Sequence, residues 1–365
     1  MKPDVLIVGA GIVGSACAWE LSQLGLRVLV IEDEAVGGGA TAAGMGHLVV
    51  LDGSEAEFEL SAASLRLWDQ FVARMPEGVE YSRCGTLWVA ADQEEMAEAQ
   101  RKHNFCAAHG VRSEMLDPVQ LAETEPNLCP GLAGGLVLPD DGILFAPVAA
   151  QWMIRDSKAE LLRATVARLE GRRAILADGT VIEAGITVNA AGARAPHITP
   201  GIPVTPRKGQ LVITDRYPGF IRHEIVELGY LKLAHAASGE SVAFNVQPRK
   251  NGQVLVGSSR QHGVKTHEID RHMLERMLRR AIEYLPALPQ LAAIRCWTGL
   301  RPATPDGRAL VGPWPAQPGM YLATGHEGLG ITAATATGRL IADYVANRPP
   351  IFDATAFLPE RCFHA

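Results

Sequence analysis

Asp4-Val-Leu-Ile-Val-Gly9-Ala-Gly11-Ile-Val-Gly14, and further on Arg27-Val-Leu-Val-Ile31-Glu32, decide the fold of this 365-residue chain. Val5 to Val8 reads as a short apolar strand that breaks at Gly9. Gly9, Gly11 and Gly14 stand at G-x-G-x-x-G spacing. Ile12 to Leu24 reads as a helix ended by Gly25, and Arg27 to Ile31 as a second strand closing on Glu32. Each part has a task in a dinucleotide site. The first glycine makes a tight turn, the second admits a pyrophosphate to the backbone, and the third lets helix and strand pack closely. The helix N-terminus offers free N–H groups and partial positive charge to the phosphates. Glu32 follows Gly11 by 21 residues and is placed to accept ribose hydroxyls. A carboxylate there repels a 2′-phosphate, which favours FAD or NAD over NADP.

Length and composition set the class. The chain is long enough for two domains. It is 47% apolar and 20% charged, with a mean hydropathy near zero, as in an ordinary globular enzyme. A net charge of −6 and no run of Lys or Arg argue against nucleic acid as a partner. Met1-Lys-Pro-Asp4 enters the first strand directly, so no signal peptide is expected, and no apolar stretch approaches the roughly 20 residues of a membrane helix. The six cysteines are scattered without a C-x-x-C pair, which fits a reducing cytoplasm. The histidines form no ligand pair. We expect no metal.

Small residues crowd Val36 to Leu48 (VGGGATAAGMGHL). Backbone so bare can lie against a flat ligand and bind phosphate or ring atoms through its N–H groups; the alternative is a flexible linker. His47 either faces a cofactor ring or is structural. Helices are expected at 54–75 and 93–109, a strand at 85–90, mostly loop over 117–142, then helix and strand over 148–169. Ala174 to Ile182 has the Asp-Gly turn of a hairpin, and Ile186 to Gly192 looks like a return to the nucleotide sheet. Strands at 210–214, Tyr230–Ala234, 241–246 and 253–257 predict an antiparallel sheet, followed by a helix over 266–284. A strand at 320–324, a glycine turn over 325–330 and a helix at 331–346 close the chain. The fold class is therefore α/β (α+β overall), a Rossmann-type nucleotide-binding domain interleaved with an antiparallel-sheet substrate domain. The expected boundaries are 1–84, 143–208 and 297–365 for the first and 85–142 and 209–296 for the second.

These motifs together resemble the FAD-dependent amino-acid oxidoreductases typified by D-amino-acid oxidase, glycine oxidase and sarcosine oxidase. The resemblance runs nearly end to end, through Val5–Glu32, Gly38–His47, Val188–Gly192, Gln247-Pro-Arg249, Trp297–Asp306 and Gly325–Ile331. It implies FAD as cofactor and Arg301, in Gly-Leu-Arg301-Pro, as the anchor of the substrate carboxylate. A guanidinium suits that bidentate grip; the alternative is a structural arginine paired to an acid such as Asp306. Gly328 to Ile331 would meet the pyrimidine edge of the flavin, where a helix N-terminus stabilises negative charge, and Thr332 would add a hydroxyl. His326 either belongs to the pocket or caps the helix.

In full, the resemblance implies cofactor contacts from Gly9, Gly11, Ile12, Gly14, Glu32, Thr41, Ala42, Ala43, Gly44, Met45, Gly46, His47, Val166, Ala190, Ala191, Gly192, Arg301, Gly325, Gly328, Leu329, Gly330, Ile331 and Thr332. The candidate catalytic residues are Arg301, His326 and His47, and the candidate substrate contacts Arg301, Asn245 and His326. No general-base constellation is visible, and direct hydride loss from an unprotonated amine needs none.

One position departs from the glycine-oxidase pattern. Asn245 stands where those members carry a tyrosine. The segments 44–50, 245–249 and 257–261 look closer to the catalytic (β) subunits of bacterial proline and hydroxyproline dehydrogenases, which pass electrons to partner subunits. The expected activity is oxidation of the C–N bond of a small amino or imino acid, with further redox subunits as possible partners. The alternatives are an oxidase releasing hydrogen peroxide, an RNA-modifying flavoprotein, and a non-catalytic FAD-binding subunit.

Overall fold

Val5–Val8 and Val28–Glu32 lie parallel, in register from Val5 opposite Val28 to Val8 opposite Ile31, with the helix Ile12–Gln23 as their crossover. Gly9 turns the chain at φ +103°, where a Cβ would stand 2.5 Å from the carbonyl oxygen of Ala190. At Gly14 a Cβ would strike the carbonyl of Gly9. The glycine spacing therefore reports two steric requirements. The computed structural model describes residues 2–50, 53–229 and 240–363.

Among the described residues this unit sits in a six-stranded sheet of order Leu310–Pro313, Met320–Thr324, Ile186–Asn189, Val5–Val8, Val28–Glu32, Glu160–Arg163. All neighbours are parallel except the antiparallel pair at the Leu310–Pro313 edge. Ile186–Asn189 does return beside the first strand. The helix Gly330–Val345 packs on Ile12–Gln23 so closely that a Cβ on Gly338 would lie 2.7 Å from the Ala16 carbonyl. Ile7, Val30, Val188, Leu340 and Ile341, all fully buried, form the core between sheet and helices.

The second sheet has eight strands, in the order Ala293–Ala303, Thr205–Arg216, Gln253–His262, Ser241–Pro248, Glu224–Glu227, Thr86–Ala90, Gly134–Leu138, Glu114–Leu116. Its pairings are antiparallel except one: Glu224–Glu227 runs parallel to Thr86–Ala90, so the sheet is mixed where an antiparallel one was expected. The ladder runs unbroken from Thr205 opposite Ala303 to Ile213 opposite Arg295, with a bulge before Thr214 opposite Ala293. Boundaries at 208/209 and 296/297 would cut through those two strands. Thr205–Lys208 and Trp297–Ala303 therefore belong with the large sheet.

The stretch 117–142, expected to be mostly loop, holds the helix Pro118–Thr124 and the strand Gly134–Leu138. Pro118 opens that helix at a position where no N–H is needed, and Asp117 and Gln120 form a capping box. The helix expected from 266 begins at Arg271, because the Asp270 side chain accepts from Met273 N at 3.0 Å and fixes the start there. The strand expected over Tyr230–Ala234 lies outside the described residues.

Period-two alternation gives the large sheet two faces. Phe244 and Val246 turn to the helix Arg271–Tyr284, and Phe244 stacks on Tyr284 with ring centroids 4.5 Å apart. Asn245 and Gln247 point the other way, toward the glycine-rich segment 38–47. No described helix is long and apolar enough to cross a membrane, and no metal-binding group of side chains occurs among the described residues.

Candidate active site

The nucleotide end is built on the first turn. Glu32 accepts from Ala10 N at 2.7 Å and from Glu34 N at 2.9 Å, which fixes its carboxylate beside the glycines. Thr41 Oγ1 accepts from Ile12 N at 3.0 Å and tethers the helix start to the segment Gly39–Ala43. Ala190 N donates to Val8 O at 2.9 Å, Gly192 O accepts from Thr324 Oγ1 at 3.1 Å, and Val166 packs in one cluster with Val8 and Ile31. Arg194, which the sequence reading did not single out, holds Asp33 through two bonds of 2.8 and 2.7 Å and stands 3.8 Å from Glu32.

The segment after Ala42 runs between the two sheets. Ala43 lies on Gly299, Gly44 abuts Ile331, Ala43 O accepts from Trp297 Nε1 at 3.3 Å, and Met45 O accepts from Gln247 Nε2 at 2.6 Å. Gly46 O accepts from Leu144 N. Thr332 donates its hydroxyl to His47 O at 2.9 Å and accepts from Val49 N at 3.3 Å. That hydroxyl ties segment to helix; it is not the spare donor the sequence suggested.

The helix Gly330–Val345 starts without a side-chain cap, and the leading N–H groups of a helix have no intrahelical partner. Gly325, Gly328 and Leu329 make the turn that leads into it, with Gly325 at φ +81°. His326 is buried, and its Nε2 is shared at 2.9 Å with Oγ1 of Thr337, about two turns into the helix. Burial pushes its imidazole down to about 4. The ring is thus bonded to Thr337 and does not cap the helix, which starts without a side-chain cap.

Arg301 lies on the face of the large sheet that meets the 38–47 segment. Its guanidinium covers Gly209, its Nη1 donates to Ser259 O at 2.9 Å, and Gly328 flanks its other side. Asp306, the acid that might have held it, is bound instead by Arg361 at 2.7 Å. Arg207 and Arg260 converge on Glu327 at 2.7 and 3.2 Å. Burial alone would raise the Glu327 carboxyl; the fields of Arg260, Arg207 and Arg301 outweigh it and hold it below the ordinary range. The surroundings of Arg301 are therefore rich in positive charge, a setting for an anion.

Across the same face stand Asn245, Gln247, His47 and Glu224. Asn245 Oδ1 and Gln247 Oε1 are buried without a hydrogen-bond partner among the described residues. His47 Nε2 lies 3.0 Å from Glu224 Oε1 without being aligned for a hydrogen bond. Burial, with the Arg301 charge adding to it, pushes the His47 imidazole down to about 4. Glu224 and Glu327 were not legible beforehand, since neither stands in a spacing that marks a site.

These residues fit a flavin dinucleotide: an uncrowded glycine turn, a fixed acceptor at Glu32, an uncapped helix start, and buried orphaned acceptors at the opposite end. Comparison with known proteins agrees. The family model described as FAD dependent oxidoreductase (DAO) matches residues 4–344. Glycine oxidase of Geobacillus kaustophilus is 27% identical, over 97% of this chain and 96% of that protein. Its crystal structure superposes with a TM-score of 0.88, covering 98% of each chain. D-amino acid dehydrogenase of Xylella fastidiosa strain M23 is 28% identical over 94% of this chain and 92% of its own. The crystal structure of L-proline dehydrogenase from P. horikoshii, 24% identical, shares the fold at a TM-score of 0.88 over 100% of this chain and 98% of that one. The chain belongs to the DAO family of FAD-dependent oxidoreductases.

Proposed function

We propose that this FAD-dependent amino-acid oxidoreductase oxidises the C–N bond of a small imino acid of the proline or D-hydroxyproline type and passes the electrons to a partner subunit or another acceptor rather than to oxygen. The reading is carried by Arg301, laid over Gly209 on the face that meets the 38–47 segment, while Asp306 is bound by Arg361. A planar fork so placed can take both oxygens of a carboxylate. Asn245 is smaller than the tyrosine of the glycine-oxidase pattern, which supports a ring-shaped substrate rather than glycine. The flavin, when bound, supplies the hydride acceptor.

The chain's own residues supply position and dryness. Arg301 orients the carboxylate; Met45, Leu211, Leu255 and Trp297 form an apolar wall that excludes water. Gly9, Gly11, Ile12, Gly14, Glu32, Thr41 and Ala190 to Gly192 would hold the dinucleotide, and Ala42 to His47 with Gly328 to Ile331 the ring. Kinship with glycine oxidases favours a second reading, an oxidase of glycine or a D-amino acid that releases peroxide.

The acceptor separates the two. With a substrate that reduces the flavin, turnover with an artificial dye should exceed peroxide formation by at least tenfold. Equal rates would favour the oxidase.

A further inference from the structure

Glu327 stands inside the glycine turn that leads into the helix Gly330–Val345, at φ +48°. A residue with a side chain seldom takes that conformation, whereas a glycine takes it freely. The turn nevertheless carries a glutamate, and its carboxylate is fully engaged. Its Oε1 accepts from Arg207 Nη1 at 2.7 Å and from Arg260 Nε at 3.2 Å, and all three side chains are mostly buried.

The two arginines belong to the surroundings of Arg301. Arg207 lies opposite Arg301 on the neighbouring strand, so both project from one face of the sheet. Glu327 N donates to Pro302 O at 2.8 Å, and a Cβ on the next residue, Gly328, would stand 3.8 Å from Arg301 Nε. His262, opposite Arg207 on its other side, adds no charge at neutral pH, because burial and the Arg207 charge push its imidazole down. Among the described residues, three guanidiniums and one carboxylate therefore meet here. A single oxygen serves two of the guanidiniums, and Arg207 Nε is buried without an acceptor among the described residues. A pair of arginines so arranged suits a carboxylate. It already holds one, supplied by the chain itself.

We propose that Glu327 is a specificity-determining residue of the pocket: it fills the Arg207–Arg260 pair in place of a ligand's second carboxylate and so confines the site to substrates that carry only one. This rests on the assignment of Arg301 as the carboxylate anchor, and it narrows the substrate class to neutral amino and imino acids. A second carboxylate reaching past Arg301 finds its binding place taken. It meets Glu327, like charge against like charge, where little water screens the two. Removing the charge of Glu327 opens the place.

The test uses the FAD-loaded protein and two ligand pairs with no amine to oxidise: butyrate against succinate, and pentanoate against glutarate. Within each pair the end methyl is exchanged for a carboxylate, and the two lengths let the second charge find the arginines. Dissociation constants are read from the flavin spectrum. The wild type should bind each monocarboxylate about tenfold more tightly than its dicarboxylate. Glu327→Gln should shift that ratio at least tenfold toward the dicarboxylate in one pair or both. Glu327→Asp, which keeps the charge, should stay within threefold of the wild-type ratio, and Arg207→Gln added to Glu327→Gln should cancel the shift. A dicarboxylate held by the wild type as tightly as its monocarboxylate would overturn the assignment without any variant. So would an unchanged ratio in Glu327→Gln, or a shift that survives the loss of Arg207. If the monocarboxylates bind wild type and Arg301→Lys alike, or bind neither, it is the Arg301 anchor that fails, and the proposed function with it.

Discussion

The guanidinium of Arg301 rests on the α-carbon of Gly209, so closely that a Cβ there would lie 2.6 Å from its Cζ. The two lie on adjacent strands as a diagonal pair, with Gly209 opposite Gly299 and Arg207 opposite Arg301. Absence of a side chain at 209 is thus what lets the arginine lie flat along the sheet.

Gly209→Ala should lift that guanidinium and raise KM for the substrate about tenfold. FAD content should change little, because the residues proposed to hold the dinucleotide, from Gly9 to Gly14 and Glu32, are untouched. Arg301→Lys should cost more, about 10- to 100-fold in substrate affinity, since a point charge cannot reproduce two parallel bonds to a carboxylate. Flavin-perturbation titration and steady-state kinetics check both.

The Glu32 carboxylate is fixed by two main-chain donors, Ala10 N and Glu34 N, and in the proposed site it takes the ribose hydroxyls. Glu32→Ala removes the acceptor for ribose hydroxyls and leaves Ala10 N unpaired. FAD should bind roughly 10- to 100-fold more weakly, and the variant should lose its yellow colour on gel filtration while the wild type retains it.

His326 gives the fold an acid-sensitive point. Its imidazole falls to about 4 in the folded protein against an ordinary 6.5, because burial disfavours the charged ring. Between those values the unfolded chain binds the extra proton, so stability rises with pH. The contribution is complete above 6.5 and is lost as pH falls through 4, and a gap of this size is worth about 3 kcal/mol. His326→Gln should flatten this part of the stability-versus-pH curve, measured by denaturant unfolding at pH 7 and pH 4.5. An unchanged acid slope would place the sensitivity elsewhere.

The sequence exposed what is local. Gly9, Gly11, Gly14 and Glu32 are readable because turn, helix and acceptor follow one another within 30 residues, and the return strand Ile186–Asn189 is readable from its apolar run. The helix Pro118–Thr124 was also signalled, by Asp117 and Gln120, but a window rich in Pro and Gly hid it. The neighbouring strand was masked by Gly134 and Gly135; the latter is needed because a Cβ would meet Trp88 O at 2.7 Å. The roles of Thr332 and His326 depended on side-chain direction, which no spacing reports. Glu224 was invisible for a further reason: its neighbour His47 lies far away in sequence, and only the tertiary fold brings the two within 3.0 Å.

The central claim is tested most directly by anaerobic titration of the FAD-loaded protein, wild type and Arg301→Lys, with L- and D-proline, hydroxyprolines, glycine and D-alanine, following flavin absorbance. We predict rapid bleaching of the wild type by an imino acid and a requirement for far higher concentrations in the variant. Failure of every amino and imino acid to bleach the wild type, or bleaching at the same concentration in both proteins, would contradict the account.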